Sequence, residues 1–130
     1  MLKLGRMGEL KDKKTVVLIA SPKEDRYSNM AVKLLRENQV PVVAIGRREG
    51  RIGDVELLVG KPIIQDVHTL TLYLNPFNQK SFYEYIISLC PKRVVFNPGT
   101  ENSELQAALT ENNIFWEEAC TLVLLRTKQY

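Results

Sequence analysis

Short apolar runs that alternate with helical segments constrain the fold of this chain more than any other feature. Thr15–Ala20, with the sequence TVVLIA, is rich in β-branched residues and is typical of a parallel strand that is covered on both faces. Similar runs follow at Pro41–Ile45, Thr69–Leu74 and Arg93–Phe96. This alternation predicts an α/β fold, a three-layer sandwich with a mostly parallel sheet of about five or six strands and helices on both faces.

The remaining elements are predicted from caps and turns. We expect helices at Asn29–Asn38 with Ser28 as N-cap, at about 78–89, and at Ser103–Asn112, where Ser103 and Gln106 have the spacing of a capping box. The segment Gly53–Asp66 is less periodic, and within it Lys61–Ile64 is a candidate edge strand. Ile114–Trp116 and Thr121–Leu125 are interpreted as the last two strands.

Length and charge define the domain organisation. The 130 residues fit one domain, which we place at residues 15–130 after a basic, flexible leader at residues 1–14. The leader accounts for the whole net charge of +3, because basic and acidic residues are equal in number in the rest of the chain. Since a nucleic-acid-binding domain has a basic face of its own, the neutral domain argues against a nucleic acid as partner.

The sequence also argues against a metal, a disulfide framework and a membrane as partner. Cys90 and Cys120 are too few for a set of disulfides and too isolated for a zinc site. The longer apolar runs reach four or five residues, far fewer than the roughly 20 that span a bilayer. The leader lacks the apolar region of a secretory signal. We therefore expect a soluble, cytoplasmic protein.

No arrangement of residues indicates catalysis. His68 is the only histidine, and no serine or cysteine has a spacing that suggests a partner for it. Glu101 and Glu104 lie beside a predicted helix start, where negative charge stabilises the helix dipole. We interpret all three as structural residues and predict no catalytic site.

Polar turns follow the predicted strands at four places. These turns are Ser21–Ser28, Gly46–Arg51, Asn75–Gln79 and Asn97–Asn102. Ligands of open parallel sheets bind beyond the carboxyl ends of the strands, at the point where the strand order reverses. The turns contain proline, glycine and several donors suited to phosphate or carbonyl groups, which favours a ligand site at this edge.

The first two turns limit which nucleotide can bind. No glycine lies between Thr15 and Ile45, so the G-x-G-x-x-G pattern of dinucleotide binding is absent. Arg47 and Arg48 follow the second predicted strand, where an NAD enzyme has an acidic residue for the ribose. Two arginines instead suit a ribose phosphate, as in NADP or the 3′-phosphate of coenzyme A. The helix start after Ser28 can still hold a diphosphate through its N–H groups.

Longer motifs in these turns and near the carboxyl terminus resemble a known family. They are A-S-P-x-x-x-R-Y-S at Ala20–Ser28, Y-L-N-P-x-N-Q at Tyr73–Gln79, F-N-P-G-T-E-N at Phe96–Asn102 and E-A-C-T-L-V-L-L at Glu118–Leu125. In combination, over roughly residues 15–129, the chain resembles the small CoA-binding domain proteins. Their Rossmann-like fold is also that of the N-terminal domain of the succinyl-CoA synthetase alpha subunit.

The resemblance implies that coenzyme A or an acyl-CoA binds across the strand ends. The residues implied are Ala20, Ser21, Pro22, Arg26, Tyr27 and Ser28 for the diphosphate, Gly46, Arg47 and Arg48 for the adenosine and its phosphate, and Asn75, Pro76, Asn97, Pro98 and Gly99 for the pantetheine arm or the nucleotide. The family commonly has G-A-S-P where this chain has Ile19-Ala20-Ser21-Pro22. Without that glycine, the backbone approaches a phosphate less closely.

Three functions are consistent with these residues. The first is a non-catalytic CoA-binding module, or one component of an acyl-CoA system, with a second copy of the chain or an enzyme subunit as partner. The second is a small NADP-linked oxidoreductase or its cofactor-binding subunit, which the two arginines favour and the missing glycines oppose. The third is a flavodoxin-like interaction domain without a small ligand, which the polar turns oppose.

Overall fold

A seven-stranded sheet lies between helices in the computed structural model, which describes residues 10–130. The strands are β1 (Thr15–Ala20), β2 (Val42–Gly46), β3 (Gly50–Ile52), β4 (Val55–Leu58), β5 (Thr69–Leu72), β6 (Arg93–Phe96) and β7 (Phe115–Glu118). The helices that follow residue 15 are α1 (Tyr27–Glu37), α2 (Pro76–Gln79), α3 (Tyr83–Ser88), α4 (Ser103–Glu111) and α5 (Thr121–Arg126). A short 3₁₀ turn at Lys80–Phe82 joins α2 to α3.

The strand order places a switch point beside β1. The order is β3-β4-β2-β1-β5-β6-β7, and every neighbouring pair is parallel except the antiparallel pair of β3 and β4. From β1 the chain first builds the sheet outward through β2 and β4, and then returns to the other side of β1 with β5, β6 and β7. Since ligands of such sheets bind where the order reverses, the carboxyl end of β1 is the expected site.

Both faces of the sheet are buried at its central strands β1, β5 and β6, which explains their unbroken runs. Val16 and Leu18 of β1 pack with α3 and α4 in one apolar cluster. Val17 of the same strand packs with α1 and α5 in the other cluster. A parallel strand that is covered on both sides needs apolar side chains at every position. The predicted three-layer α/β fold is therefore confirmed, and its sheet has more strands than the five or six expected.

The prediction of a strand at Thr121–Leu125 is wrong, because this segment forms helix α5. Thr121, Leu122 and Leu125 are buried, while Val123 is 51% exposed. Residues that are buried at these spacings lie on one face of a helix that packs against a sheet. A strand that is buried on one face instead has a buried residue at every second position. The last strand is instead β7, which begins one residue later than predicted and extends to Glu118.

The predicted edge strand at Lys61–Ile64 is also wrong, since these residues form no strand. The edge consists of β3 and β4, a hairpin that turns at Gly53, whose φ is +57°. Val55 and Leu57 are buried and the residues that follow each of them are exposed. This alternation of burial is typical of a half-buried strand, but the sequence does not show it, because the exposed Leu58 is apolar like the buried Leu57.

Two helices begin earlier than predicted, and a third begins at the predicted Ser103 but has a different N-cap. The N-cap of α1 is Arg26 rather than Ser28, and the N-cap of α4 is Asn102, whose side chain accepts from the N–H groups of Glu104 and Leu105. Asn caps a helix as well as Ser, and Asn102 is one residue upstream of Ser103. The helix predicted at about 78–89 is divided into α2, the 3₁₀ turn and α3, and it starts at Pro76, a residue suited to a first helical position.

The part of the predicted leader that the structure describes contacts the domain. Leu10 packs against the cluster on the α1 and α5 face, and Lys13 Nζ donates to the main-chain carbonyl of Tyr130 at 2.7 Å. Residues 1–9 of the leader lie outside the described residues. Within residues 10–130, no helix has the length and apolar character needed to cross a membrane.

Candidate functional site

A cavity of about 450 Å³ opens at the carboxyl ends of β1 and β2. We call it the first cavity, and the residues that line it are Ile19, Ala20, Ser21, Pro22, Lys23, Arg26, Ser28, Arg47, Arg48 and Tyr73. It lies at the switch point and at the start of α1. The structure therefore brings together the turns that follow the first two strands, as their place in a parallel sheet predicts.

The lining of the first cavity is basic. Lys23, Arg26, Arg47 and Arg48 line it, and no Asp or Glu among residues 10–130 does. Arg26 is 4.0 Å from its carboxylate neighbour Asp25, and both side chains are mostly exposed. In the described part of the chain, the other three cations have no ion pair within 4.0 Å. Basic groups that converge without acidic partners attract an anion.

Helix α1 fixes the turn that precedes it through Ser21. The Ser21 N–H donates to Ser28 Oγ at 3.1 Å, and Asn29 Nδ2 donates to the Ser21 carbonyl at 3.0 Å. Both peptide groups that flank Ser21 are thus held by the first turn of the helix. Ser28 is buried and positions the turn rather than capping the helix. Asn29, also buried, has the same function and was missed by the sequence interpretation.

The start of α1 is open to an anion. No side chain caps this helix end and no acidic residue lies in its first turn. The first N–H groups of a helix have no intrahelical acceptor and carry partial positive charge. Since Arg26 and Ser28 at this end line the first cavity, the helix dipole and the basic side chains favour the same charge there.

Gly46 allows β1 and β2 to approach closely at the cavity edge. A Cβ atom at this position would lie 2.8 Å from the Ala20 carbonyl oxygen and 3.2 Å from that of Arg48. Because both atoms belong to the backbone, no side-chain rotation relieves the contact. A glycine directly after a buried strand was the sequence signal for this position.

A second cavity, of about 340 Å³, adjoins the first. The residues that line it are Ile19, Ile45, Gly46, Arg47, Gly60, Leu74, Asn78, Ser81 and Phe82. Most of these side chains are apolar, and Ile45, Leu74 and Phe82 belong to or pack against the cluster on the α3 and α4 face. The two cavities share Ile19 and Arg47.

Tyr73 lines the first cavity and was not predicted as a site residue. Its hydroxyl is buried and makes no hydrogen bond of good geometry within the described residues. Burial raises the pKa of Tyr73 well above its ordinary value, which the nearby hydroxyls of Thr121 and Thr71 offset only in part. The hydroxyl therefore stays protonated at neutral pH.

Of the two later turns, Asn75–Gln79 contributes Asn78 to the second cavity, and Asn97–Asn102 lines neither cavity. Asn75 Oδ1 accepts from the Asn78 N–H at 2.9 Å and caps α2, and Pro76 is the first residue of that helix. Asn97 is buried; its Nδ2 donates to Thr71 Oγ1 and the Leu72 carbonyl, and its Oδ1 accepts from the Thr121 N–H. Among the other predicted site residues, Tyr27, Pro98 and Gly99 are exposed and line neither cavity.

A buried amide network joins the two later turns. Gln79 Nε2 donates to the carbonyls of Leu74 and Thr100, both at 2.8 Å. Asn102 Nδ2 donates to Gln79 Oε1 at the same distance. Gln79 is fully buried, so these bonds replace its hydration and hold the turns after β5 and β6 together.

The histidine and the cysteines lie apart from both cavities. His68 precedes β5, at the amino end of the sheet, and its Nδ1 is 2.8 Å from Thr69 Oγ1. Burial, together with the positive charges of Arg93, Lys13 and Lys92, lowers the pKa of His68. Cys90 is exposed and Cys120 is partly buried. In residues 10–130, no group of three or more His, Cys, Asp or Glu side chains is arranged to hold a metal ion.

Comparison with solved structures shows that the fold is Rossmann-like and recurrent. A crystal structure described as that of an uncharacterized protein is 44% identical, with a TM-score of 0.88 over 91% of this chain and 98% of that one. The structure of cell-free ID.343 from Thermus thermophilus is 18% identical, with a TM-score of 0.78 over 99% of this chain and 97% of that one. A hypothetical protein from Pyrococcus horikoshii OT3 is 20% identical, with a TM-score of 0.79 over 97% of this chain and 88% of that one.

Comparison with family models identifies the chain more specifically. No curated protein matches the sequence. The family model described as CoA binding domain matches residues 13–126, which include every element from β1 to α5. The chain belongs to this CoA binding domain family.

Proposed function

We propose that the protein binds coenzyme A or an acyl-CoA at the carboxyl ends of its parallel strands. It acts as a non-catalytic nucleotide-binding module or as one component of an acyl-CoA system. The observation that carries this proposal is the basic first cavity at the switch point of the sheet. Coenzyme A has a diphosphate and a 3′-phosphate, and both groups require cationic or N–H donors.

The two phosphate groups have different partners in this proposal. The diphosphate lies against the Ser21–Lys23 turn and the open start of α1, where N–H groups and Arg26 converge. The ribose phosphate lies against Arg47 and Arg48, which follow β2 and are exposed. Arginine forms paired hydrogen bonds with phosphate oxygens, so two adjacent arginines suit a phosphate with several free oxygens.

A second candidate is an NADP-linked oxidoreductase or its cofactor-binding subunit. The same two arginines support it, because the 2′-phosphate of NADP is also a ribose phosphate. The absence of glycine from the turn after β1 opposes it, since a dinucleotide needs close approach of that backbone. Membership of the CoA binding domain family favours coenzyme A.

A thermal-shift panel tests the proposal. The ligands are CoA, acetyl-CoA, dephospho-CoA, NADP and NAD, each added in large excess over the protein. A ligand at 100 times its Kd stabilises the folded state by about 2.7 kcal/mol, which gives a clear rise in Tm. We expect the largest rise with CoA or acetyl-CoA and a smaller one with dephospho-CoA. A rise with NADP and none with the CoA compounds would contradict the proposal and favour the second candidate.

A further inference from the structure

The end of β1 contains a bulge at Ile19. Leu18 pairs with Ile45 of β2 and Ala20 pairs with Gly46, so Ile19 has no partner residue in that strand. Side chains of a regular strand alternate between the two faces of a sheet. Ile19 instead packs against the same cluster as Leu18. A bulge of this kind redirects a side chain, and such bulges are frequent beside ligand sites.

The redirected Ile19 lies on the boundary between the two cavities. The first cavity is on the side of α1, lined by Ser28 and Tyr73, and the second is on the side of α3, lined by Leu74 and Phe82. Ile19 and Arg47 are the residues that the two linings have in common. A ligand that extends from one cavity into the other must therefore pass over Ile19 and beside Arg47.

The two cavities differ in chemistry. The first contains four cationic side chains, whereas Arg47 is the sole charged residue that lines the second within residues 10–130. The second cavity is lined by four apolar side chains, those of Ile19, Ile45, Leu74 and Phe82, together with the polar side chains of Arg47, Asn78 and Ser81. At about 450 and 340 Å³, each cavity alone is in the lower half of the range of roughly 300–1,000 Å³ for small-molecule sites. Together they suit a ligand with a phosphorylated part and an uncharged part that makes both apolar contacts and hydrogen bonds.

We infer that the two cavities form one ligand site and that Ile19 is a specificity-determining residue within it. The phosphates occupy the first cavity, a purine base occupies the second, and the ligand contacts the Ile19 side chain between them. Arg47 contacts both parts. The inference rests on the proposed function, because it requires a phosphorylated nucleotide as ligand.

The test measures three Kd values by calorimetry for the full chain and for Ile19→Trp. The probes are CoA, adenosine 3′,5′-bisphosphate, which keeps the base, and inorganic pyrophosphate, which fits the first cavity alone. We expect Ile19→Trp to weaken binding of CoA and of the bisphosphate by at least about tenfold, and to change the Kd of pyrophosphate by less than about threefold. The matched control is Ile63→Trp, since Ile63 is 94% exposed and lines neither cavity; its three Kd values should stay unchanged.

A second variant covers the case in which the tryptophan prevents folding. Ile19→Ala adds no bulk and removes apolar contact with the ligand, so we expect CoA and the bisphosphate to bind about three- to tenfold more weakly, with pyrophosphate unaffected. Unchanged CoA affinity in a folded Ile19 variant overturns the inference. So does equal weakening of all three probes, or weakening of CoA without the bisphosphate. If the unmodified protein binds pyrophosphate and neither nucleotide, the proposed function itself is wrong.

Discussion

Gly46, at the edge of the first cavity, has no room for a side chain. Its substitution by alanine places a methyl group 2.8 Å from the Ala20 carbonyl oxygen, and the ends of β1 and β2 must separate to accept it. We predict that Gly46→Ala lowers the free energy of unfolding by about 1–3 kcal/mol and weakens CoA binding. Urea denaturation and calorimetry measure the two effects.

Gly50 provides the control for this substitution. A Cβ atom there would lie 3.4 Å from Leu57 Cδ1 and farther from every other group, which is ordinary contact. Gly50→Ala is therefore expected to change the free energy of unfolding by less than about 1 kcal/mol. If the two variants are equally stable, the close approach of the strands at Gly46 is not a constraint on this fold.

Residues that line the first cavity were predictable where their position along the chain places them at the carboxyl end of a strand. Arg47 and Arg48 follow β2 directly, Arg26 lies in the segment between β1 and α1, and every parallel strand ends at the same edge of the sheet. Tyr73 and Ile19 were not recognised, because an apolar or aromatic residue at a strand end is most simply interpreted as core. Their place in the cavities depends on the bulge in β1 and on the packing of two helix layers, which no local pattern contains.

At the scale of elements, α2 connects the turns after β5 and β6 through Gln79. Its side chain satisfies the buried carbonyls of Leu74 and Thr100, and both lose a donor in Gln79→Ala. Since each unsatisfied buried polar group costs about 1–3 kcal/mol, we predict a loss of at least about 2 kcal/mol in the free energy of unfolding. Chemical denaturation measures it.

A substitution at an exposed glutamine is the control that separates this effect from the loss of a side chain in general. Gln65 is exposed, and Gln65→Ala is expected to lie within about 0.5 kcal/mol of the unmodified protein. Similar stabilities for the two variants would show that the amide network does not hold the turns together.

The elements that sequence predicted best are those buried on both faces. The bounds of β1 and β6 agree with the prediction, because continuous β-branched runs leave few alternatives. A short apolar run such as Thr121–Leu125 fits either a strand or a buried helix face. In the structure it is a helix that packs beside α1. The β3–β4 hairpin was missed because its strands of three and four residues give too short a pattern.

For the whole molecule, the surroundings of His68 at the amino end of the sheet predict that stability depends on pH. Burial and the charges of Arg93, Lys13 and Lys92 lower the pKa of His68 below the ordinary value of 6.5. The unfolded chain therefore binds a proton at His68 more readily than the folded one. The free energy of unfolding should fall as the pH decreases below about 6.5, and should be insensitive to this group above it.

His68→Asn tests this dependence, because the chain has no other histidine. Denaturation curves between about pH 7.5 and 5.5 avoid the titration of most carboxylates. We predict that the unmodified protein loses stability across this interval and that the variant loses less. Equal losses in the two proteins would show that another group governs the acid sensitivity.

The arrangement of the whole sheet explains why the basic first cavity lies at one edge. The order reverses at β1, so the turn after β1 and the basic segment after β2 converge there without a second domain. The alternation of strands and helices was enough to predict this architecture and the edge at which the first cavity lies. The number of strands and the two cavities depend on hairpin and helix packing, and only the structure shows them.

The most direct test of the account is the affinity of CoA and of dephospho-CoA for the protein and for Arg47→Ala/Arg48→Ala, measured by calorimetry. These ligands differ only in the 3′-phosphate, which the account assigns to the two arginines. Arg51→Ala is the control, because Arg51 lies nearby, pairs with Glu56 and lines neither cavity. We predict that the unmodified protein and Arg51→Ala bind CoA at least about tenfold more tightly than dephospho-CoA, and that the double variant binds the two alike. Undiminished preference for CoA in the double variant, or no binding of CoA by the unmodified protein, would contradict the account.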